Sequence, residues 1–343
     1  METVATNDTT TRRNRHLVDQ YLGWMQEHER RSSNTIYKYS LSYRIFLEHV
    51  GATGLNDVTL ANMEAYLRRP RTKLRGPNVA PATIKREIME LRSLYKWLGS
   101  RNLIVGDPTV RLLEEAPTVH NEAPHPAPLG AWQALWFGDL AVEERVAFGL
   151  GMFCGMRRHE ITGLKVDQFV DAPTPMITNV KRKGGKLQGI RWSSAVELYA
   201  TKLAPYIGAP QSFTDALDEL LELRLPGQAL LAPWRNDSAV TYKVHEMPKG
   251  VINPDQFNKR LVRALRRNGL DGNEFSPHAL RHSFCTNLID VGVPIQVVSR
   301  LAGHSSLNVT MRYVDTGEDP LADLLEGVGD EGQGLVINRF RMR

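Results

Sequence analysis

Residues 276–313 read SPHALRHSFCTNLIDVGVPIQVVSRLAGHSSLNVTMRY, a stretch rich in histidine, arginine and small polar residues. Its start is typical of a helix N-terminus, because Ser276 and Pro277 suit the cap and the first helical position. A spacing of three residues then places His278 and Arg281 on one face of that helix. The stretch therefore predicts a helix that presents an imidazole and a guanidinium side by side.

Further polar groups follow in this stretch, and a second segment adds an arginine. His304 comes after a glycine at a predicted helix end, and Tyr313 lies nine residues further on, in a new helix. Residues 154–169, CGMRRHEITGLKVDQF, carry Arg157 and Glu160 three apart at the start of another helix. That spacing places the guanidinium and the carboxylate on one face.

A third segment, VKRKGGKLQGIRW at residues 180–192, has the pattern of a β-hairpin. Two short strands are predicted, Met176–Arg182 and Leu187–Trp192, with a glycine turn between them. Lys183 lies at this turn, where its amine could project into a groove. Lys186 is the alternative lysine of the same turn.

Each of these residues has an ordinary structural explanation when it is taken alone. Most arginines beside a glutamate form structural ion pairs, and most helical histidines are exposed or satisfied rather than catalytic. Tyr313 could equally pack against a core. His278 and His304 raise the question of a metal, but neither has a carboxylate or a cysteine at ligand spacing. The pattern predicts no metal site.

Taken together, Arg157, Arg281 and Lys183 are the kinds of residue that phosphoryl transfer at DNA requires. The transition state spreads negative charge over the non-bridging oxygens, and the guanidiniums of Arg157 and Arg281 can clamp them with bidentate hydrogen bonds. The leaving alkoxide needs a proton, which an amine such as that of Lys183 can supply.

The tyrosine suits the same chemistry. A phenol with a pKa of about 10 is only roughly one part in a thousand ionised at neutral pH, so it needs cations or a base beside it to become a nucleophile. His278 can be that base for Tyr313, and His304 can be a further hydrogen-bond donor.

The combined pattern resembles the tyrosine recombinase, or phage integrase, family. The phrases CGMRRHEITGLK, HALRHSFCTNL and LAGHSSLNVTMRYV resemble its two conserved boxes, and 22 residues separate Arg281 from His304 as the family pattern requires. The catalytic set that the resemblance implies is Arg157, Lys183, His278, Arg281, His304 and Tyr313. Glu160 would support this set by orienting Arg157.

The resemblance implies a reaction and partners. In such enzymes the tyrosine attacks the scissile phosphate, giving a 3′-phosphotyrosine and a free 5′-hydroxyl, and strands are exchanged through a Holliday junction without metal, ATP or another cofactor. The partner would be double-stranded DNA with an inverted-repeat site, bound by a homotetramer spanning two sites, with room for an accessory DNA-bending protein. A C-terminal tail at residues 327–343 would be exchanged between protomers.

Positive charge is concentrated at one end of the chain. Residues 1–115 hold 18 Lys or Arg against 13 Asp or Glu, whereas the remainder holds 25 of each, so the net charge of +5 lies in the first third. Ten cations lie between Arg68 and Arg101, which indicates either a solvated face or a phosphate-binding surface. The DNA-binding candidates are Arg68, Arg69, Arg71, Lys73, Arg75, Lys85, Arg86, Arg92 and Lys96.

The expected fold class is mainly α with a small β-hairpin or sheet in the catalytic domain, arranged as a two-domain DNA clamp. Helical periodicity predicts helices over Asn34–Val50, Thr59–Arg68 and Ala82–Leu98. The expected divisions are a disordered arm at 1–14, a helical DNA-binding domain at 15–113, a linker at 114–128 and a catalytic domain at 129–326.

Two alternative functions remain at this point. One is a type IB topoisomerase or telomere resolvase, which uses similar chemistry without exchange between two sites. The other is a DNA-binding regulator without turnover. The composition predicts a cytoplasmic protein, since no apolar run approaches a membrane span and the two cysteines are too few for a disulfide framework. The resemblance implies a prokaryotic or phage-infected cell and association with the nucleoid.

Overall fold

The computed structural model describes residues 2–70, 79–114, 116–119, 125–170, 175–182, 185–191, 212–232 and 254–314. The chain divides into two compact units, Met1–Asn121 and Glu122–Arg343. It is mostly helical with one small antiparallel sheet, as the sequence predicts. The C-terminal tail predicted at residues 327–343 lies outside the described residues, as does Trp192.

The first unit is helical throughout the part that the structure describes. The three helices predicted from periodicity are confirmed to within two residues at each end. Its elements are α1 (Glu2–Glu27), α2 (Ser33–Val50), α3 (Leu60–Leu67), α4 (Pro81–Ser100) and a 3₁₀ turn (Arg111–Leu113). Ser32 caps α2 with its side chain, and Thr59 forms a reciprocal capping box with Asn62 at the start of α3.

The start of the chain differs from the prediction. The expectation of a disordered arm at residues 1–14 is wrong, because α1 already begins at Glu2. The physical reason lies at Asn14, which is 2% exposed and bonds the loop after α2. Its amide donates to the Thr53 carbonyl at 2.9 Å and accepts from the Leu55 N–H at 3.1 Å. The polar, threonine-rich residues before Asn14 thus extend a helix that Asn14 attaches to the loop after α2.

Aromatic side chains fill the core of the first unit, and the hydroxyls of its buried tyrosines Tyr43 and Tyr95 are hydrogen-bonded. The Tyr43 hydroxyl donates to the Glu90 carbonyl at 2.8 Å, and the Tyr95 hydroxyl donates to the Leu55 carbonyl at 3.0 Å. The apolar stripe predicted for α4 faces this core. One face of α4 therefore packs in the core, and the opposite face is exposed to solvent.

The second unit combines helices with the sheet. Its helices are α5 (Leu129–Phe137), α6 (Val142–Cys154), α7 (Arg158–Thr162), α8 (Phe213–Glu222), α9 (Pro254–Arg267), α10 (Pro277–Asp290), α11 (Ile295–Ala302) and α12 (Leu307–Met311). Its strands are β1 (Phe169–Val170), β2 (Met176–Lys181) and β3 (Leu187–Arg191), in the order β1-β2-β3. The predicted hairpin is confirmed, and β1 is a short third strand that the sequence did not indicate.

Helix α6 is the central element of the second unit. All residues from Glu143 to Cys154 are buried, as expected for a helix surrounded by others. Its two buried carboxylates are paired with arginines from later segments: Glu143 with Arg224, and Glu144 with Arg260 and Arg267. These pairs neutralise charges that would otherwise be costly to bury.

Within the described residues, none of the helices has both the length and the apolar character needed to cross a membrane.

The end of α6 depends on a glycine. Gly155 adopts a left-handed conformation with φ +59°, and a Cβ there would lie 2.3 Å from Cδ1 of Phe284. Gly155→Ala is expected to destabilise the second unit by roughly 2–5 kcal/mol, combining backbone strain with overpacking. Faster amide hydrogen exchange in α6 would report this loss. Gly130→Ala is the control, because nothing lies within 4 Å of that position. Equal exchange in the two variants would contradict the expectation.

Candidate active site

Arg281 lies in the first turn and a half of α10 and is 1% exposed. Its guanidinium donates to the Gly155 carbonyl and, at 2.6 Å, to the Ala302 carbonyl. Burial, and to a smaller extent the charge of Arg157, lowers the pKa of Arg281 to about 10. The side chain is therefore still charged at neutral pH, and it is held between the ends of α6 and α11.

Arg157 caps the start of α7 and reaches the same place. Its Nη1 donates to Oε1 of Glu160 at 2.9 Å, and its Nη2 donates to the Gly303 carbonyl at 3.3 Å. The backbone N–H of Arg157 also donates to Glu160. The two arginines predicted as a phosphate clamp are thus attached to adjacent carbonyls, those of Ala302 and Gly303.

Arg182 is a third arginine in this cluster, and the sequence analysis assigned it no role. It is 5% exposed, and its Nη1 donates to Oε2 of Glu160 at 2.5 Å. It also donates to the side chain of Gln188 and to the Leu301 carbonyl. Burial lowers the pKa of Arg182, whereas Glu160 opposes that change. Glu160 therefore bridges two guanidiniums, and Arg182 fastens the hairpin to α11.

Strand alternation offered a signal for Arg182. Val180 and Arg182 are buried, whereas Lys181 between them is exposed, so Arg182 lies on the inward side of the strand. The pattern is broken further back, since the register shifts between Ile177 and Val180 and Asn179 has φ +53°. Because of this irregularity, buried and exposed residues do not alternate regularly along β2, and the sequence alone does not indicate which side Arg182 faces.

The general-acid candidate Lys183 lies outside the described residues. Gly184 lies outside them as well, but the residues on either side of this pair are described: the Arg182 N–H donates to the Lys186 carbonyl at 2.7 Å, and Gly185 has φ +78°. Lys186 is exposed. The predicted glycine turn is thus present, and the assignment of the lysine stays a prediction.

Of the two predicted histidines, His304 contacts Tyr313, whereas His278 contacts a histidine that was missed, His282, which contacts Tyr313 in turn. His278 and His282 are one turn apart on α10, with ring centroids 4.5 Å apart. Nδ1 of His282 lies 2.7 Å from the Tyr313 hydroxyl. The ring of His304 stacks on that of Tyr313 at 6.0 Å, and its Nδ1 lies 2.7 Å from Oγ1 of Thr310. The sequence could have indicated His282 as a site residue, because it lies four residues after His278 and therefore on the same face of the helix.

Burial and nearby cations shift the pKa values of Tyr313 and of the three histidines. Tyr313 is 4% exposed, and burial raises its pKa, while the charge of Arg281 acts in the opposite direction. Burial, followed by the nearby arginines, lowers the pKa of His278 and takes that of His304 to about 3. Burial and His278 lower the pKa of His282 to about 4. Each of these shifts favours the neutral form of the imidazole.

The DNA-binding candidates of the first unit are spread over several environments. Arg69 is half-buried, bonded to Glu87 at 2.8 Å and stacked over Tyr66, so its contacts are structural. Arg68 pairs with Glu64 at the surface, and Arg86 pairs with Glu90. Arg71, Lys73 and Arg75 lie outside the described residues.

Three of the candidates share one face of α4. Lys85 and Lys96 are exposed and Arg92 is partly so, at spacings of seven and four residues. We call these three residues the α4 cation stripe. They lie away from the buried positions Ile88, Leu91 and Tyr95 of the same helix.

Family models and known proteins match this chain over most of its length. The phage integrase family matches residues 133–319, and the phage integrase N-terminal SAM-like domain matches residues 18–102. The tyrosine recombinase XerC of Rhodospirillum centenum is 27% identical over 322 residues, covering 88% of this chain and 83% of the relative.

Solved structures share the fold at low identity. XerH site-specific recombinase bound to its palindromic difH substrate has a TM-score of 0.61 at 18% identity, covering 90% of this chain and 83% of that one. A lambda integrase tetramer bound to a Holliday junction has a TM-score of 0.62 at 15% identity, covering 89% and 79%.

The bridging carboxylate of Glu160 provides a test of the cluster. Glu160→Gln removes the charge that balances Arg157 and Arg182, so we expect a loss of about 3–5 kcal/mol in the stability of the second unit. Urea denaturation followed by the fluorescence of the buried pair Trp132 and Trp136 would measure it. Glu222→Gln, the same change at an exposed position, should leave the midpoint unaltered. Equal midpoints for Glu160→Gln and the unmodified protein would refute the bridging role.

Proposed function

Because the chain belongs to the phage integrase family, whose members are tyrosine recombinases, we propose that it recombines DNA at a specific site with Tyr313 as the nucleophile. The observation that carries this assignment is the electrostatic setting of the Tyr313 hydroxyl. It lies 2.7 Å from Nδ1 of His282, and while burial and Cys285 raise its pKa, the charge of Arg281 opposes that rise. A tyrosine that only packed against the core would need neither neighbour.

The arginines supply the electrostatic part of the chemistry. Arg157 and Arg281 bind the non-bridging oxygens of the scissile phosphate and stabilise the charge that develops on them. Glu160 and Arg182 act through Arg157, by holding its guanidinium in place. His278 and His304 complete the set of groups around the phosphate.

The bond changes follow from the predicted chemistry. The Tyr313 oxygen forms a bond to phosphorus, and the bond from phosphorus to the 5′-oxygen breaks. The leaving oxygen takes a proton from Lys183, with Lys186 as the alternative donor. A 3′-phosphotyrosine and a free 5′-hydroxyl result, and the energy of the broken ester is retained for rejoining.

The assembly is also part of the proposal. A homotetramer would bind two inverted-repeat sites and pass through a Holliday junction, an arrangement supported by the lambda integrase tetramer of similar fold. Such a reaction would take place beside the nucleoid, in the cytoplasm of the cell that carries the DNA. The first unit would bind the duplex through the α4 cation stripe, and an accessory DNA-bending protein is a further candidate partner.

The nucleophile can be tested with a nicked duplex that traps the covalent complex. The site is first selected from random inverted repeats by binding to the Tyr313→Phe variant. We expect the unmodified protein to form a denaturation-resistant adduct without metal or ATP, whereas Tyr313→Phe binds with similar affinity and forms none. An adduct with the phenylalanine variant would mean that the nucleophile is another residue. No adduct from the unmodified protein on a tightly bound site would favour the DNA-binding regulator.

The α4 cation stripe can be tested by the salt dependence of binding. Lys96→Ala is expected to weaken binding to any duplex and to reduce the slope of log K against log salt by about 0.9, the value for one phosphate contact. Fluorescence anisotropy at several salt concentrations measures both quantities. Arg44→Ala is the control, since it removes an exposed cation from α2. If both variants keep the original slope, the stripe does not contact phosphate.

A further inference from the structure

His282 is a histidine that the predicted catalytic set leaves out. It lies in HALRHSF, one helical turn after His278 on α10, and its ring is partly buried. Its Nδ1 lies 2.7 Å from the Tyr313 hydroxyl, which is hydrogen-bond distance. The tyrosine itself is 4% exposed. A phenol so enclosed has little access to bulk water, so a protein group has to take its proton when the oxygen attacks.

The surroundings of His282 keep its ring available as an acceptor. The groups that face it are His278 and Arg281 from α10, His125 from the segment before α5, and Arg312 and Tyr313 from the segment after α12. These neighbours and burial disfavour the imidazolium form, so the ring is neutral and one of its nitrogens has a free lone pair. Proton acceptance at Nδ1 requires the phenol to be the donor beside it, with the proton of the ring on Nε2.

Binding of a DNA phosphate would raise the proton affinity of His282. A phosphodiester bound by Arg157 and Arg281 brings a negative charge beside the cations that now repel a proton from His282. That charge raises the affinity of the imidazole for a proton at the moment the phenol must lose one. In the free protein the same cations keep the ring unprotonated, so the acceptor is ready before DNA binds.

We propose that His282 is the base that accepts the proton of Tyr313 during cleavage, a role that rests on the proposed function. The Tyr313 O–H bond breaks and its proton passes to the lone pair of Nδ1. At the same time the bond from oxygen to phosphorus forms, and the bond to the 5′-oxygen breaks. That oxygen is protonated by the separate acid, Lys183. In the rejoining step His282 returns the proton to the phenolate.

The decisive variant is His282→Asn, because Oδ1 of asparagine is as many bonds from the backbone as Nδ1 and can accept the same hydrogen bond. It cannot take up the proton. We expect its single-turnover cleavage of the selected nicked duplex to be about 100- to 10,000-fold slower, the range for a lost general base. DNA affinity, measured in parallel, should be unchanged.

The pH profile separates a base from a positioning residue. Without an internal base, cleavage needs phenol that has already ionised, so the rate of His282→Asn should rise about tenfold per pH unit between about pH 6 and 9, below the phenol pKa. The unmodified protein should be level over that range. His278→Asn is the matched comparison, and it should keep the level profile even if it is slower.

Two results would overturn the proposal while leaving Tyr313 as the nucleophile. The first is cleavage by His282→Asn within about threefold of the unmodified rate and with a level profile, since typical general-base losses are far larger. The second is the tenfold rise appearing in His278→Asn instead, which would make His278 the base. In contrast, failure of the unmodified protein to form any adduct would remove the proposed function itself.

A measurement without DNA tests the same hydrogen bond and does not depend on how the variant folds. Nitrogen-15 NMR of the histidine rings in the unmodified protein should show His282 protonated at Nε2 and accepting at Nδ1 at pH 7. The Nδ1 resonance should shift in Tyr313→Phe. A proton found on Nδ1 would show that His282 donates to the tyrosine oxygen, and the proposal would then be wrong.

Discussion

The guanidinium of Arg281 lies between the carboxyl-terminal ends of two helices, and the rest of the site is arranged around it. It donates to the Gly155 carbonyl after α6 and to the Ala302 carbonyl at the end of α11. Helix ends carry unpaired carbonyls and partial negative charge, so they can hold a buried cation. Each end turns at a left-handed glycine, and the next residues include Arg157 and His304. One buried contact therefore sets the positions of three predicted site residues.

Glu160 extends this arrangement to the sheet. Its carboxylate is fully buried and receives hydrogen bonds from Arg157 and Arg182, so one negative charge is shared by two positive ones. Arg182 continues to Gln188 and the Leu301 carbonyl. The hairpin that carries the lysine turn is thereby attached to α11. The same contacts that offset the burial of charge also set the distance between the hairpin and the arginines.

Positive charge remains in excess in this pocket, and that excess has a functional meaning. Burial is the largest cause of the lowered pKa values of His282 and His304, and the arginines lower them further, while Arg281 opposes the effect of burial on the pKa of Tyr313. Such a site is electrostatically incomplete until an anion enters it. A phosphate that becomes more negative on its outer oxygens during reaction gains most from these charges, which is the condition for catalysis rather than simple binding.

The sequence by itself determined α2, α3 and α4, the hairpin, and the resemblance to the family, because these depend on local periodicity, caps and short motifs. It also placed His278 and Arg281 on one helix face. Tertiary structure alone decided the contacts of Arg182, which follows an irregular strand, and of His282, whose partner Tyr313 lies in the turn after α12 and not in the helix that the sequence predicts for it. It likewise showed that α1 continues through residues expected to be disordered. Contacts of this kind join segments far apart in the chain, and they arise from how helices pack, which the spacing of residues along one segment does not encode.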